Sequence, residues 1–300
     1  MMNQNGNDVV LFCVIRNDLQ RLKQFLPYYR NLGIQSFVFT DNGSTDGTYE
    51  YLSEQEDVIL YSMPDKYSCM NRIKWIQSML HQHGKHKWCV VVDSDEVISY
   101  VGCETHNLVD LINFTEFKGY VGIAGFLLDM YSDSKMFVGN TFDMDAQRYF
   151  DYAKYQVNNR SFGVLIYGGP RSRLFGIRNG ISKYPIFYYC DGVSYTNAHY
   201  LHIHSNRDYK LSPIWLAIRH YKFQTQSDFT KMKEAIANRT YYNGSMDYVP
   251  IYDYIQDKCI PTMYNCDVSR YYATSDSLRC IDILQEPFLE SEDDIDGKTG

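Results

Sequence analysis

The chain has 300 residues, of which 45% are hydrophobic and 22% charged, and its formal net charge is −7. This composition is typical of a folded globular protein, and the length allows a sizeable core. The acidic balance and the lack of a basic run argue against a nucleic-acid partner.

The first hundred residues alternate between strand and helix patterns. Apolar runs predict strands over 9–15, 34–40, 58–63 and 88–92, and helical periodicity predicts helices over 18–31, 48–55 and 68–83. Strands that alternate with helices form a parallel sheet with right-handed crossovers. We therefore expect an α/β fold with a Rossmann-like, mostly parallel central sheet and helices on both of its faces.

The pattern changes after residue 100. We predict a strand over 120–128, a loop-rich stretch over 130–165, and short strands or turns over 198–204 and 215–220. A glycine turn followed by a short strand is predicted over 167–175, with Arg171 and Arg173 on that strand. Residues 228–238 are expected to be helical.

The most informative segment is an apolar run that leads directly into three acids. Residues 88–92 are followed by Asp93, Ser94, Asp95 and Glu96. Acids at the carboxyl end of a central strand open into the crevice where α/β folds bind ligands. Alternation places Asp93 and Asp95 on one side, where both can face a divalent cation. The alternative interpretation is a solvated turn whose acids cap the next helix.

The loop after the second predicted strand is acidic and rich in hydroxyl groups. Residues 41–48 lack the lysine and glycine spacing of a phosphate-binding loop. Asp41 is placed to accept hydrogen bonds from a nucleoside, although the same loop also suits a turn and a helix cap. Together with residues 16–18 and 93–95, it predicts a nucleotide and metal site at one edge of the sheet.

Cysteine usage and the N-terminus bear on the cellular location. The eight cysteines form no CxxC pair, and Cys13 and Cys89 lie inside apolar runs. This pattern indicates reduced thiols rather than disulfides or a zinc site. No signal peptide is evident, and no apolar run approaches the ~20 residues that span a bilayer. We expect a cytoplasmic protein, with peripheral contact at the inner face of the membrane left open.

Several motifs, in this order along the chain, resemble those of bacterial glycosyltransferases of the GT-A fold. The similar group is family-two-like and includes lipopolysaccharide and capsule enzymes. The matching segments are residues 41–48, 88–96, 128–131, 149–151, 168–173, 220–223 and 269–271. The resemblance extends from about residue 8 to about residue 288. One departure is Asp18, where the group more often has glutamate.

The resemblance implies one GT-A domain over 1–288, with a nucleotide-binding half over 8–100 and a C-terminal acceptor-side region over 101–288. Residues 289–300 are expected to be a disordered acidic tail. The implied donor is a nucleotide-sugar, for which UDP is favoured and GDP is left open, and the acceptor is a carbohydrate or glycan. The residues expected to contact the nucleotide are Arg16, Asn17, Asp41, Ser44, Arg72, Asp93 and Ser94.

The resemblance also implies a metal ion, Mn²⁺ or Mg²⁺, that assists departure of the nucleoside diphosphate. Its expected ligands are Asp93, Asp95 and a late histidine, for which His220 is preferred to His199. A histidine ligand would favour Mn²⁺ over Mg²⁺.

Enzymes of this group usually invert the anomeric carbon and so need a general base. Asp129 and Asp151 are the candidates, and Asp191 is a remote third. Arg171 and Arg173 are expected to orient an anionic acceptor or the diphosphate.

Two other functions compete with this one. A sugar nucleotidyltransferase would use a related sheet, but it needs a glycine-rich basic loop after the first strand, which residues 14–19 lack. A non-catalytic carbohydrate-binding protein would keep the fold without turnover, but the intact acids at 93 and 95 argue against it. Most of the 28 tyrosines are expected in the core or at its rim, and only a few at a sugar substrate.

Overall fold

The computed structural model describes residues 8–160, 163–197, 200–203, 210–257 and 259–288. The strands are β1 (Val9–Ile15), β2 (Ser36–Asp41), β3 (Val58–Ser62), β4 (Lys87–Val91), β5 (Glu96–Ser99), β6 (Tyr120–Asp129), β7 (Tyr149–Asp151), β8 (Gln156–Arg160), β9 (Gly163–Tyr167), β10 (Ser182–Tyr189), β11 (Val193–Asn197), β12 (Tyr200–Ile203), β13 (Lys210–His220) and β14 (Ser269–Tyr271). The helices are α1 (Leu19–Asn31), α2 (Thr48–Ser53), α3 (Cys69–Met79), α4 (Leu108–Phe117), α5 (Gly169–Phe175), α6 (Gln226–Asn238) and α7 (Val249–Asp257). Short helical turns lie at Leu80–Gly84, Tyr242–Tyr248 and Ser275–Cys280.

Eight strands form the central sheet, in the order β3-β2-β1-β4-β10-β6-β13-β5. The pairings β1–β2, β2–β3, β1–β4 and β6–β13 are parallel, whereas β10 and β5 run antiparallel to their neighbours. Strands from both predicted halves of the chain therefore complete one sheet. The predicted fold class is confirmed in its architecture: it is α/β, with a mostly parallel central sheet.

Helices pack on both faces of this sheet. Alternate residues of β1 point to opposite sides, as strand geometry requires. Leu11 and Cys13 pack with α1 and α4, whereas Val10 and Phe12 pack with α3. Because β1 is buried on both faces along its whole length, its sequence is a continuous apolar run rather than an alternating one.

In the second half of the chain, strands β7 and β8 lie inside the predicted loop-rich stretch 130–165, and one predicted strand is a helix. Residues 169–175, expected as a short strand, form helix α5, which begins with Pro170 in its first turn. Proline suits the first turn of a helix because no backbone donor is needed there. The strand expected over 215–220 is the end of β13, which begins at Lys210 and lies inside the sheet.

Three further expectations concern termini, thiols and membranes. The expected disordered tail at 289–300 lies outside the described residues. All eight cysteines are free. Within the described ranges, no helix combines the length and apolarity needed to traverse a bilayer. The division into one domain over 1–288 stays a prediction.

Helix α1 is tied to the edge strand β5 by a buried tyrosine. The Tyr29 hydroxyl donates to the carbonyl of Glu96 at 3.1 Å and accepts from the amide of Ile98 at 3.1 Å. Tyr29 is fully buried, so neither backbone group could find water in its place. This contact fixes the start of β5, and with it the end of the acidic turn, against α1.

We expect Tyr29→Phe to lower the free energy of unfolding by about 1–3 kcal/mol, because two buried backbone groups lose their partner. Urea unfolding of the purified protein measures this change. Tyr49→Phe is the matched control, since Tyr49 is 40% exposed. Equal stability of the two variants would show that the tie contributes nothing.

Candidate active site

The polar ends of five strands that run in the same direction meet at one edge of the sheet. Strands β1, β2 and β4 run parallel, and β6 and β13 share their direction through the intervening antiparallel β10. Their carboxyl ends lead into residues 16–18, 41–44, 92–95, 129–131 and 220–223. Ligands of open α/β sheets bind at such an edge. The sequence prediction that the first three of these segments share one edge is confirmed by the strand directions.

The acidic turn crosses this edge between β4 and β5. It is closed by a hydrogen bond of 3.0 Å from the Glu96 amide to the Asp93 carbonyl. The Asp95 carbonyl accepts from the amide of Tyr221 at 2.8 Å, which joins the turn to the end of β13. The turn therefore has a fixed backbone, from which its three carboxylates reach separate sets of partners that overlap only at Lys183.

Asp93 is paired with two cations. Arg72, at the start of α3, lies 2.5 Å from its Oδ1, and Lys183 of β10 lies 3.2 Å from its Oδ2. Burial raises the pKa of Asp93, but the charges of Arg72 and Lys183 outweigh burial and hold this pKa well below its usual range. Both carboxylate oxygens are thus engaged by protein donors.

Glu96 is the counter-ion of Lys183. Its Oε1 pairs with Lys183 Nζ, and its Oε2 accepts from the Asp93 amide at 3.1 Å. The Glu96 side chain is 2% exposed and that of Lys183 is 6% exposed. Burial of two charges is tolerated here because each has a partner of opposite sign and additional hydrogen bonds.

Asp95 faces a histidine that is oriented from behind by a second acid. His220 Nδ1 lies 2.7 Å from Asp129 Oδ1, and its Nε2 lies 3.6 Å from Asp95 Oδ2. When Nδ1–H donates to Asp129, the other ring nitrogen, Nε2, faces the Asp95 carboxylate. A proton on Nε2 or a cation bound between the two atoms would make this contact favourable. The arrangement of carboxylate, histidine and metal position is common in metal sites.

The positions of these side-chain atoms show which of them could bind the implied divalent ion. Oxygen or nitrogen atoms of Asp95, Glu96 and His220 all lie within 4.8 Å of one another. Glu96 and Asp93 direct both carboxylate oxygens to protein donors, and Asp95 Oδ2 has Lys222 at 3.3 Å, so an ion would share these acids with cations of the protein. Asp95 Oδ2 and His220 Nε2, 3.6 Å apart, are close enough to bind one ion that takes its other ligands from outside the protein.

A lysine side chain also lies next to Asp95. Lys222 Nζ lies 3.3 Å from Asp95 Oδ2 and 5.7 Å from the ring centroids of both Tyr241 and Tyr248. Burial lowers the pKa of Lys222, yet the Asp95 carboxylate raises it above its usual value. Conversely, burial raises the pKa of Asp95, but Lys222 and His220 outweigh burial and lower it. Lys222 is therefore a fixed positive charge beside the candidate ion site.

The loops after β1 and β2 are braced against each other. The Asn17 amide donates to Ser44 Oγ at 2.8 Å, and Asn17 Oδ1 accepts from the Thr45 amide at 2.7 Å. Asp41 is 2% exposed; its Oδ2 accepts from the Ser44 amide at 3.0 Å, while its Oδ1 is buried and accepts from no described residue. An unpartnered buried oxygen is costly, so a ligand donor that reached this atom would gain a favourable hydrogen bond. Arg16 is exposed at the rim.

Asp18 links these loops to the acidic turn. Its carboxylate accepts from Ser94 Oγ at 2.8 Å and pairs with Arg21 at 3.1 Å and with Lys231 of α6 at 2.7 Å. Burial raises its pKa, but Lys231 and Arg21 lower it further than burial raises it. Ser94 is thereby held by Asp18 and connects β1, β4 and α6.

Helix α5 supplies one arginine to each candidate base. Arg171 Nε lies 2.7 Å from Asp129 Oδ2, and Arg173 donates to Asp151 at 2.9 and 3.0 Å. Asp151 also accepts from Tyr131 at 2.5 Å. Asp151 belongs to this separate set of contacts, whereas Asp129 contacts His220 directly. Arg171 Nη2 is buried and donates to no described residue.

The structure therefore brings most of the expected residues into one network and separates others. The 93–96 turn connects the pair Asp93 and Arg72 with the chain of contacts formed by Asp95, His220 and Asp129. Ser94, between the two acids, is held by Asp18. Asp191 lies at an exposed turn beside Lys85, and His199 lies outside the described residues. Sequence reasoning missed Glu96, Lys183 and Lys222 as members of the network. Lys183 had one signal, a lysine inside the apolar strand Ser182–Tyr189.

Comparisons with known proteins add a distant likeness. No family model and no curated protein sequence matches the chain. Among solved structures, it is similar to a mannosyltransferase of Pyrobaculum calidifontis in complex with GDP-Man and Mn²⁺, at 15% identity and a TM-score of 0.31, over 43% of this chain and 37% of that chain. It is also similar to residues 1–349 of S. aureus TarS, at 13% identity and a TM-score of 0.35, over 84% of this chain and 72% of that chain. At these identities and TM-scores the likeness identifies neither a family nor a function.

We expect Glu96→Gln to lower the free energy of unfolding by about 3–5 kcal/mol, because it removes one partner of a buried ion pair. Urea unfolding measures the change, and the exposed Glu50→Gln is the matched control. If the variant were as stable as the wild type, Glu96 would not be the structural counter-ion of Lys183.

Proposed function

We propose that the protein is a glycosyltransferase that moves a sugar from a nucleotide-sugar donor, a UDP-sugar, to a carbohydrate or glycan acceptor. We place it with the family-two-like enzymes of lipopolysaccharide and capsule synthesis. One observation carries the proposal: a buried acceptor atom of Asp41 with no partner among the described residues shares a strand edge with the facing pair Asp95 and His220. A nucleoside and a diphosphate require these two kinds of group, one beside the other.

The nucleoside end of the donor would lie against the braced loops. Asp41 Oδ1 is available to accept from a base N–H or a ribose hydroxyl, which would satisfy a buried oxygen. Asn17 and Ser44 hold the two loops at a fixed separation. Arg16, at the exposed rim, is in reach of a solvent-facing part of the nucleoside. These contacts would orient the donor before any charge develops.

The diphosphate end would lie at Asp95 and His220. A Mn²⁺ or Mg²⁺ ion bound there would supply Lewis-acid stabilisation of the leaving diphosphate. Asp129 would orient His220 by accepting a hydrogen bond from its Nδ1–H, so that Nε2 faces the ion position. Lys222 adds a fixed positive charge at the same place, 3.3 Å from Asp95. Asp93 acts through Arg72, which it holds at the edge of the site.

An inverting transfer needs a base that takes the proton of the acceptor hydroxyl. In our proposal Asp129 has the orienting role, since His220 and Arg171 occupy both of its oxygens. Asp151 is then the candidate base. Arg173 donates to both oxygens of Asp151, so one of these hydrogen bonds must break when the acceptor hydroxyl binds.

Activity separates this proposal from the two competing functions. A glycosyltransferase releases a nucleoside diphosphate from a nucleotide-sugar, whereas a nucleotidyltransferase releases pyrophosphate from a nucleoside triphosphate. A non-catalytic carbohydrate-binding protein releases neither.

We expect Asp95→Asn to reduce release of UDP from the active UDP-sugar by at least about 100-fold, since it weakens the stabilisation of developing charge. A panel of UDP-sugars with Mn²⁺, followed by detection of free UDP, measures the rate. Asp253→Asn is the control, because Asp253 is an exposed acid on α7. A folded Asp95→Asn variant with the wild-type rate would contradict the proposed ion site.

We expect Asp41→Asn to weaken UDP binding by about tenfold or more, because it replaces the carboxylate whose unpartnered Oδ1 is proposed to accept from the nucleoside. Calorimetric titration of UDP in the presence of Mn²⁺ measures the dissociation constant. Asp46→Asn is the control from the same loop, since the oxygens of Asp46 already serve Leu19 and Thr48. Equal UDP affinity of wild type and Asp41→Asn would remove the nucleoside from this loop.

A further inference from the structure

A polar cavity of about 410 Å³ lies beside helix α5, away from the residues discussed so far. Its lining consists of two cations, two amides, two hydroxyl-bearing side chains and Gly168. The side chains are Lys154, Arg178, Gln156, Asn158, Ser172 and Tyr167. None of these lining residues is acidic, although the whole chain has a net charge of −7.

The walls of the cavity are held by a close approach of two loops. A Cβ atom on Gly168 would lie 2.7 Å from the carbonyl oxygen of Lys154, so only glycine permits this distance. Lys154 itself has a φ of 67°, a conformation that non-glycine residues adopt rarely. Such strain is kept where the surrounding structure fixes it, and it occurs often at ligand sites. The cavity is thus a built feature of the fold.

The amide side chains that line the cavity, Gln156 and Asn158, both belong to strand β8. Gln156 pairs with Tyr167 in the antiparallel hairpin of β8 and β9. Gln156 and Asn158 are two positions apart, so they share one face of β8. Both can donate to and accept from sugar hydroxyls.

The two cations of the cavity are available to a ligand. Lys154 and Arg178 are exposed, and neither forms an ion pair with a described residue. By contrast, Arg171 and Arg173 of α5 are each paired with a buried acid. An arginine fork and a lysine in one cavity suit a phosphate or a carboxylate group.

Helix α5 connects the cavity to the acceptor side of the proposed active site. Ser172 lines the cavity, and it stands between Arg171, which binds Asp129, and Arg173, which binds Asp151. A ligand in the cavity would therefore lie next to the helix that holds both candidate carboxylates.

We infer that this cavity is an acceptor subsite that takes an anionic saccharide, a sugar unit carrying a phosphate or carboxylate group. The inference rests on the proposed function, because the cavity is assigned to the acceptor of that reaction. An uncharged sugar would leave both cations without a partner, and a bare anion would leave the amides and hydroxyls unused. A volume of about 410 Å³ lies within the range of small-molecule sites.

The test is calorimetric titration of four probes, glucose 6-phosphate, glucuronate, glucose and inorganic phosphate, into the full chain with UDP and Mn²⁺. We expect a charged sugar to bind at least about tenfold more tightly than glucose or inorganic phosphate, and Lys154→Gln with Arg178→Gln to remove this advantage. Lys23→Gln with Lys74→Gln, two exposed lysines outside the cavity, is the matched control. Arg178→Gln alone provides a second variant should the double variant fail to fold, and a smaller loss of the same sign is expected.

Equal binding by wild type and cavity variants would overturn the inference, as would glucose or inorganic phosphate binding as tightly as the charged sugars. Sedimentation with phosphatidylglycerol vesicles forms another arm; binding to them that depends on Lys154 and Arg178, without binding of charged sugars, would replace the saccharide by a lipid headgroup and overturn it too. The titration of UDP alone keeps the two proposals apart. UDP binding without charged-sugar binding refutes only the acceptor subsite, whereas failure to bind UDP refutes the proposed donor site.

Discussion

Buried carboxylates at the ends of the central strands require buried cations, and this electrostatic balance organises the whole site. The acids of the 93–96 turn cannot lie at a sheet edge with so little water unless opposite charges neutralise them. Lys183 of β10, Arg72 of α3 and Lys222 after β13 supply these charges. Because the three cations come from distant parts of the chain, the balance exists only when the sheet and its helices are assembled.

The balance also separates structural acids from an acid that is open to chemistry. Glu96 and Asp93 direct both oxygens to protein donors, and such pairs fix the turn in place. Asp95 differs, because its partners are Lys222 and a histidine nitrogen at 3.6 Å. A rigid frame of paired charges around Asp95 would preorganise the proposed site for an ion or a diphosphate.

Helix α5 has the corresponding role on the other side of the site. The helix is short, yet it reaches three places with consecutive residues. Arg171 pairs with Asp129, Ser172 lines the polar cavity, and Arg173 pairs with Asp151. Any movement of this helix would change the orientation of His220 through Asp129 and the hydrogen bonds of Asp151 at the same time. This coupling gives an acceptor a physical route by which its binding could influence both carboxylates.

Sequence by itself determined the alternation of strands and helices in the first hundred residues, because buried parallel strands are continuous apolar runs and amphipathic helices have their own period. It also determined that acids follow the β4 region and that Asp41 ends β2. It failed for residues 169–175, where the glycines and two arginines suggested a strand, and local signals in so short a segment are weak. Only the tertiary structure decided which acid has which partner. Lys183 lies 87 positions along the chain from Glu96 (183 − 96). Lys222 and His220 lie 127 (222 − 95) and 125 (220 − 95) positions from Asp95. Pairing over such separations depends on strand order, which no local pattern of residues encodes.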